Sequence, residues 1–364
     1  CGSMDLMKSF AAKPTEENYD MAVDIELIIN SKLTGQLIKP LVTDNIEVAF
    51  ERKGSPGKLS FKMIFDENVQ EGDQVSLRYK NEDFFLGYIF VRKFDKNDVV
   101  SITCYDQMRY LKNKAYYVHK TVTASQILQN VAKDFNLQLG EIEDTVHVFE
   151  KRREDGTVLL DQIQGALTET LRLTGKRFVL FDAYGKLCIK ETENLKIKEL
   201  VFDEKSAQNY DFEVSIDKNT YNKVVLDYVN EEAKKLDKYV VLDSKNISKW
   251  GVLQYFEKID KQNVSTESER IKRAEQMLKY YNGRTKDFKL KGVFGDIRVR
   301  GGSSFTVMLN VAEFKLANYM LVDKVTHKFG FKEYFMDLDL EGQIGEEESN
   351  DVNNSTSSEE YSAE

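Results

Sequence analysis

The sequence is poor in proline, cysteine and histidine, with three of each among 364 residues. Proline interrupts strand ladders, whereas aromatic side chains suit pleated, half-buried surfaces. Three prolines beside 18 tyrosines and 22 phenylalanines therefore favour a sheet-rich fold. Three cysteines supply no disulfide framework, and no zinc-ligand spacing is present. Cys104 and Cys188 each lie in an alternating strand pattern, which predicts small buried thiols.

A basic excess and a long apolar run are also missing. The net charge is −9, and residues 345–364 carry seven acids and no Lys or Arg, which leaves −2 for the first 344 residues. Binding of a phosphate backbone normally needs clustered basic charge, so no nucleic acid partner is expected. No apolar run approaches ~20 residues, so no membrane partner is expected either. The protein is expected to be made in the cytoplasm.

Hydrophobic periodicity divides the chain into strand-rich and helical parts. Six alternating segments between about residues 21 and 111, separated by glycine turns, predict a β-barrel or sandwich. Residues 123–137 instead repeat apolar side chains at helical spacing, with Thr123 as the N-cap. A second helix is predicted over about 158–173, stopped by Gly175 and followed by a hairpin. This part is expected to be a small α+β domain.

Strand character returns after about residue 209 and is interrupted once by a helix. The helix is predicted from about Ser265 to Tyr281. Its apolar face is expected to be core and consists of Ile271, Ala274, Met277 and Leu278. The last block, 287–340, again has the pattern of strands.

The segment GDIRVRGGSSFTVML, residues 295–309, has the glycines and arginines of a phosphate-binding loop but lacks its helix. A phosphate cradle needs helical periodicity after the glycines, because successive backbone N–H groups converge at a helix N-terminus. The apolar residues that follow alternate instead, as they do in a strand. The segment is therefore predicted to be a strand, a glycine turn and another strand.

A second copy of this pattern occurs near the N-terminus. A shift of 230 residues places DENVQEGDQVSLRY, residues 66–79, on the segment without a gap, so that Gly72 falls on Gly302. After one residue of slip, YIFV from Tyr88 falls on YMLV from Tyr319. We predict an internal duplication, with both glycines as structural turn residues that tolerate positive φ. The alternative is two unrelated β domains that share a generic hairpin pattern.

Residues with catalytic or metal-binding chemistry are scattered. His119, His147 and His327 are far apart, and structural or surface roles are expected for them, with packing or hydrogen bonding for His327. Asp337 and Asp339 share a strand face and could act as the acid pair of a glycosidase, but the solvent side of a strand explains them more simply. We predict no catalytic residue, no cofactor and no metal.

Several longer segments carry a family resemblance. They are YDQMRYLKNKAYYVHKTVTASQILQNVAKDFNL, LTGKRFVLFDAYGKL, RAEQMLKYYNG, GDIRVRGGSSF, YMLVDKVTHKF and FMDLDL. These segments resemble the XkdQ-type tail proteins of defective and contractile phages, and the last four also resemble the wider late-control-gene-D group. The resemblance covers roughly residues 21 to 342, and its motifs are structural rather than catalytic.

The resemblance implies the hub of a contractile tail baseplate, a structural protein rather than an enzyme. It implies a homotrimer that forms a ring with pseudo-sixfold symmetry. The expected partners are the tail tube protein or a tube initiator, the central spike protein and other baseplate proteins. The particle would be an infectious phage, a defective prophage or a bacteriocin particle (tailocin). A cell-wall-binding or wall-degrading tail component is the alternative.

An interface role directs attention to two arginines. Arg298 and Arg300 alternate with Ile297 and Val299, so they are expected to share one strand face. They are the interface candidates, because they could pair with acids of a neighbouring subunit. A solvated strand face is the alternative.

The expected fold class is α+β and β-rich, with two related tail-tube-like β-barrel domains plus a middle α+β domain. The predicted segments are 1–19, a cloning remnant and flexible N-terminus; 20–112, the first β-barrel; 113–195 plus 246–286, the middle α+β domain; 196–245 plus 287–343, the second β-barrel; and 344–364, a disordered acidic tail.

Overall fold

The computed structural model describes residues 24–259 and 266–343, so the segments 1–19 and 344–364 lie outside the described residues. The helices are α1 Ala124–Asp134, α2 Leu159–Thr174, α3 Ser244–Trp250 and α4 Glu267–Tyr281. The strands are β1 Ile25–Asn30, β2 Leu37–Ile38, β3 Ile46–Glu51, β4 Lys58–Ile64, β5 Gln74–Tyr79, β6 Glu82–Phe94, β7 Val99–Tyr105, β8 Lys114–Thr123, β9 Leu139–Ile142, β10 Val148–Val158, β11 Phe178–Asp182, β12 Leu187–Glu191, β13 Lys196–Asp203, β14 Asn209–Ser215, β15 Lys223–Asn230, β16 Lys235–Leu242, β17 Gln254–Ile259, β18 Thr285–Phe294, β19 Ser304–Val311, β20 Phe314–Gly330 and β21 Glu333–Gln343. The predicted β-rich α+β fold class is confirmed.

The largest sheet has two halves with the same strand order. One half runs β3-β4-β7-β6-β5 and the other runs β14-β18-β21-β20-β19. We call β1 to β7 the first repeat, and β13, β14 and β18 to β21 the second repeat. The halves join where β20 pairs antiparallel with β3, from Lys324 opposite Glu51 to Phe329 opposite Ile46. The two repeats share one continuous hydrophobic core.

Core residues correspond between the repeats. Leu59 of β4 lies opposite Cys104 of β7, and Phe288 of β18 lies opposite Leu340 of β21. All four side chains are buried. The same order of strands and the same placement of core residues confirm the predicted duplication. Cys104 and Cys188 are buried and unbridged, as predicted.

The predicted slip of one residue between the repeats is wrong, because the observed slip is three. Gly72 N donates to Ile89 O at 2.8 Å, and Gly302 N donates to Val322 O at 2.9 Å. These bonds make Val322, rather than Met320, the counterpart of Ile89. The side-chain pattern of a strand repeats every two residues, so an error of two residues preserves the alternation and leaves no trace in the sequence.

The part that follows the first repeat has a core of its own. It is formed by α1 and α2 with the two-stranded sheet β10-β8 and the three-stranded sheet β11-β12-β9. Thr123 and Gln126 form a capping box at the start of α1, and Gly175 ends α2 with φ of 72°. The predicted helices and their boundary residues are confirmed. Within the described ranges, no helix is both long enough and apolar enough to cross a membrane.

A further small sheet, β16-β15-β17, packs against α4 through Ala274 and Met277. β15 and β16 lie in the range 196–245 that the sequence assigned to the second barrel, yet they pair with β17 and with no strand of that repeat. The division into domains otherwise stays a prediction. Ile271, expected in the core, is 40% exposed, and the polar neighbour Arg273 is buried instead.

Candidate functional site at the junction of the repeats

The loop before β19 repeats the loop before β5 in its hydrogen bonds. Asp66 Oδ1 accepts from Asn68 N at 2.9 Å, and Asp296 Oδ1 accepts from Arg298 N at 2.9 Å. Such an aspartate fixes a tight turn by replacing a backbone acceptor. The two loops are therefore the same turn, built twice.

Two glycines and two valines complete this repeated turn. Gly72 and Gly302 have φ of 87° and 93°, a left-handed region that other residues enter only with strain. Val69 and Val299 are buried under the respective loops. Both predicted turn glycines thus lie at equivalent positions, directly before the strands that the loops introduce.

Gly301 is where the second loop differs from the first. A Cβ atom at Gly301 would lie closer than 3.0 Å to backbone atoms of Glu51 and Arg52, at the end of β3. The first repeat has Glu71 at the equivalent position, and its carboxylate pairs with Arg92 at 2.8 Å. The glycine pair in the sequence therefore serves two purposes: Gly302 permits positive φ, and Gly301 lets the second repeat approach the first.

The strand predicted before the glycine turn is wrong, because residues 295–303 form a loop between β18 and β19. The strand face predicted for Arg298 and Arg300 is therefore wrong as well. Arg298 remains half exposed and forms ion pairs with Asp296, at 2.7 Å, and with Glu199. Hydrogen bonds to these two carboxylates raise the pKa of Arg298 above its ordinary value. An intersubunit role for Arg298 stays a prediction.

Arg300 lies in the loop between β18 and β19 of the second repeat and points into the chain. There it contacts the first repeat and the part that contains α1 and α2. The guanidinium lies 4.9 Å from the ring centroid of Phe50 in β3 and 4.5 Å from that of Phe181 in β11. Its Nη1 also donates to the backbone oxygen of Asp182 at 2.9 Å. Burial lowers the pKa of Arg300, and the nearby Asp182 charge opposes this shift. An intersubunit role for Arg300 also stays a prediction.

Two buried carboxylates, Asp106 and Asp182, lie beside Arg300. Asp106 Oδ2 accepts from Gly57 N at 2.9 Å, and Asp182 Oδ1 accepts from Gly185 N at 2.6 Å. Burial raises the pKa of both groups, and these backbone donors oppose the shift. Their oxygens are held by backbone N–H groups of loops from different parts of the chain, so the pair serves to fix those loops. Among the residues that the structure describes, no cluster of His, Cys, Asp or Glu could hold a metal ion.

His327 lies in β20 where the two repeats meet. Its Nε2 lies 2.7 Å from Val299 O, which can only accept, so Nε2 carries the proton. Nδ1 then accepts from the Tyr334 hydroxyl at 2.6 Å. The ring makes edge contacts with Phe50 and Phe84 of the first repeat. The predicted packing and hydrogen-bonding role is confirmed, and burial lowers the pKa of His327 to about 3.

Lowering the pH from 7 to 5 is expected to destabilise the chain through His327. In the unfolded chain His327 becomes protonated when the pH falls below its ordinary pKa of about 6.5. In the native chain it stays neutral until near pH 3. The free energy of unfolding therefore falls as the pH drops below about 6.5, by about 2 kcal/mol at pH 5. Urea unfolding of the wild-type chain and of His327→Gln at both pH values measures this loss.

The comparison with the variant isolates the histidine from the carboxylates. Asp106 and Asp182, whose pKa values are raised, act in the opposite sense, since the native state takes up their protons first as the pH falls. They contribute equally to both chains. Identical pH dependence in wild type and His327→Gln would contradict the prediction.

Comparison with known proteins identifies the family of the chain. Residues 46–341 match the model of the family described as YQBQ-like. The chain belongs to the YqbQ-like family. The YqbQ protein of Bacillus subtilis (strain 168) is 28% identical to this chain over 309 residues, which cover 82% of this chain and 92% of that protein. The phage-like element PBSX protein XkdQ of the same organism is 26% identical over 308 residues, with the same coverage of each chain. The resemblance seen in the sequence is therefore confirmed.

A solved structure shares the fold of this YqbQ-like chain. The 43 kDa tail protein of prophage MuSo2 from Shewanella oneidensis superposes with a TM-score of 0.62 at 15% sequence identity. The match covers 87% of this chain and 98% of that one. The YqbQ-like chain thus shares the fold of a prophage tail protein over most of its length.

Proposed function

We propose that this YqbQ-like chain is the hub of a phage tail or phage-derived particle, in which three copies form a ring that joins the tail tube to the central spike. The family and the shared fold support a structural component of a phage tail. The observation that carries the finer proposal is the duplication, in which five strands occur twice in the same order. Three such chains supply six similar units, so the ring suits a sixfold tube.

The two ends of the sheet differ in a way that supports this proposal. The part that contains α1 and α2 follows Tyr105, which lies opposite Lys58. The sheet β16-β15-β17 is inserted between Ser215 and Thr285, which lie opposite each other. Both parts leave the sheet at the same end, and each occurs once per chain. In a ring of three chains, that end has threefold symmetry, which suits a threefold spike. The other end consists of turns that occur in both repeats, so in the ring its symmetry is nearly sixfold.

The mass of the purified chain in solution tests the proposal. Light scattering over a concentration series is expected to give about 126 kDa, three times the 42.1 kDa of one chain. A dimer at every concentration would contradict a ring of three. Deletion of the gene in the parent phage or prophage is expected to abolish spiked tails, and complete tails with spikes would contradict the hub function.

A further inference from the structure

The β20–β3 ladder joins one strand edge of each repeat. Each of these two edges has a counterpart on the other repeat, and this ladder uses neither counterpart. Within the chain, residues 324–329 of β20 pair with residues 46–51 of β3. This contact joins the β20 edge of the second repeat to the β3 edge of the first. A duplicated chain has one further edge of each kind, on the opposite repeats.

The counterpart of the β20 edge is the end of β6. Directly after a bulge, Val91 of β6 lies opposite Thr103, just as Lys324 of β20 lies opposite Asp339 directly after a bulge. Residues 91–94 of the first repeat therefore correspond to residues 324–327 of the second.

The counterpart of the β3 edge is β14. It has the same place at the head of the strand order. Phe212 of β14 lies opposite Phe288, just as Val48 of β3 lies opposite Leu59. Since Leu59 and Phe288 are equivalent core residues, Phe212 corresponds to Val48.

Both counterpart edges are bare in the single chain. Within the described residues, β14 pairs with β18 alone, and β6 after Ile89 pairs with β7 alone. Phe94 is 53% exposed, whereas its counterpart His327, which β3 covers, is fully buried. Tyr210 on β14 is 41% exposed. A bare strand edge presents unpaired backbone N–H and C=O groups, with which a strand of another chain can pair.

We propose that residues 91–94 of one copy pair antiparallel with β14 of a second copy, in the register of the β20–β3 ladder. This inference rests on the proposed ring and names the surfaces that build it. Transfer of the register places Arg92 opposite Val214, Lys93 opposite Glu213, and Phe94 opposite Phe212. The pairs are complementary: a cation faces an anion on one side of the ladder, and two aromatic rings meet on the other.

The two ladders differ at one point. Within the chain, Gly301 lets the loop approach the end of β3, whereas the equivalent Glu71 carries a side chain that pairs with Arg92. The contact between copies is therefore wider and more polar at this end. Lys93 and Phe94 follow Arg92 and lie away from this end of the ladder, so they are the residues to test.

A charge exchange across the proposed ladder tests it. Lys93→Glu places two anions opposite each other, and Glu213→Lys places two cations opposite each other. Each single variant is expected to weaken association by about fivefold per interface and by roughly 100-fold for a ring with three such interfaces. The double variant Lys93→Glu/Glu213→Lys restores the attraction and is expected to recover the wild-type mass in light scattering.

Matched controls separate position from net charge. Lys120→Glu and Glu150→Lys make the same charge changes on exposed positions of the two-stranded sheet β10-β8 and are expected to leave the trimer intact. A second readout uses Lys93→Cys/Glu213→Cys in a chain without Cys1, which is expected to form a disulfide between copies under oxidising conditions. Each single cysteine variant is expected to form none.

The outcomes distinguish the interface from the ring. A wild-type trimer that survives both charge reversals and forms no disulfide overturns the interface but leaves the ring. A chain that stays monomeric throughout, again without the disulfide, overturns both. A mass above the trimer, together with rescue by the double variant, supports the edge pairing and contradicts closure at three copies.

Discussion

Gly301→Ala is expected to lower the free energy of unfolding by about 3 kcal/mol or more. The added methyl group would lie closer than 3.0 Å to backbone atoms of Glu51 and Arg52. Backbone atoms in a paired strand cannot move aside as the end of a flexible side chain can, so β3 and the loop must separate. This separation strains the β20–β3 ladder that joins the two repeats. Chemical unfolding followed by circular dichroism measures the effect.

Two variants at related positions show whether close approach is the cause. Glu71→Ala changes the equivalent residue of the first repeat, which is exposed, and is expected to alter stability by less than about 1 kcal/mol. Gly72→Ala adds strain at positive φ. Among the described residues other than its chain neighbours, only the end of Lys32 lies within 4 Å of the added Cβ, so a loss of about 1–2 kcal/mol is expected. A loss at Gly301→Ala no greater than at Gly72→Ala would contradict a rigid junction.

Arg273→Ala is expected to cost about 3–5 kcal/mol. The Arg273 side chain is 2% exposed and forms ion pairs with Glu169 of α2 and, at 2.8 Å, with Glu257 of β17. Burial lowers the pKa of Arg273 to about 10, so the residue is charged at neutral pH. Removal of the guanidinium leaves the buried Glu169 carboxylate without this cation, which is the expensive outcome for a buried pair. Urea unfolding of the variant gives the loss.

A double variant separates the charges from the packing. Arg273→Met/Glu169→Gln removes both charges and keeps most of the volume, and it is expected to recover more than half of the stability lost in Arg273→Ala. Arg78→Ala breaks an exposed pair with Asp83 and is expected to cost less than about 1 kcal/mol. A double variant as unstable as Arg273→Ala would show that the shape of the arginine, rather than its charge, stabilises the helix contact.

Local sequence signals predicted the elements well. Thr123 and Gln126 are three residues apart at the start of an apolar helical pattern, and Gly175 follows the end of the next one. Each of these signals acts through hydrogen bonds or φ angles within a few residues. The duplication was also visible, because turn residues and strand alternation recur at fixed spacing. For these features the neighbours along the chain are the cause.

Other features had no local cause. Arg273 is one of several charged residues on its helix. Its burial is explained by Glu169, which comes from a helix about a hundred residues away, and by Glu257 of β17. The sequence could not show that β15 and β16 pair with β17 rather than with strands of the second repeat. An alternating pattern predicts a strand but does not identify its partner strand. The inward turn of Arg300 was missed because the alternation at 297–300 resembles a strand.

The sequence by itself therefore determined the β-rich class, the helix ends, the repeated glycine turn and the family, since each depends on residue types at short or fixed spacing. Only the tertiary structure decided which edges pair and which stay bare. A strand pattern states which face is apolar, whereas pairing depends on the partners that the rest of the fold brings to each edge. Gly301 illustrates the difference: its neighbour Gly302 is explained by its own φ, but Gly301 is explained by a strand 250 residues away.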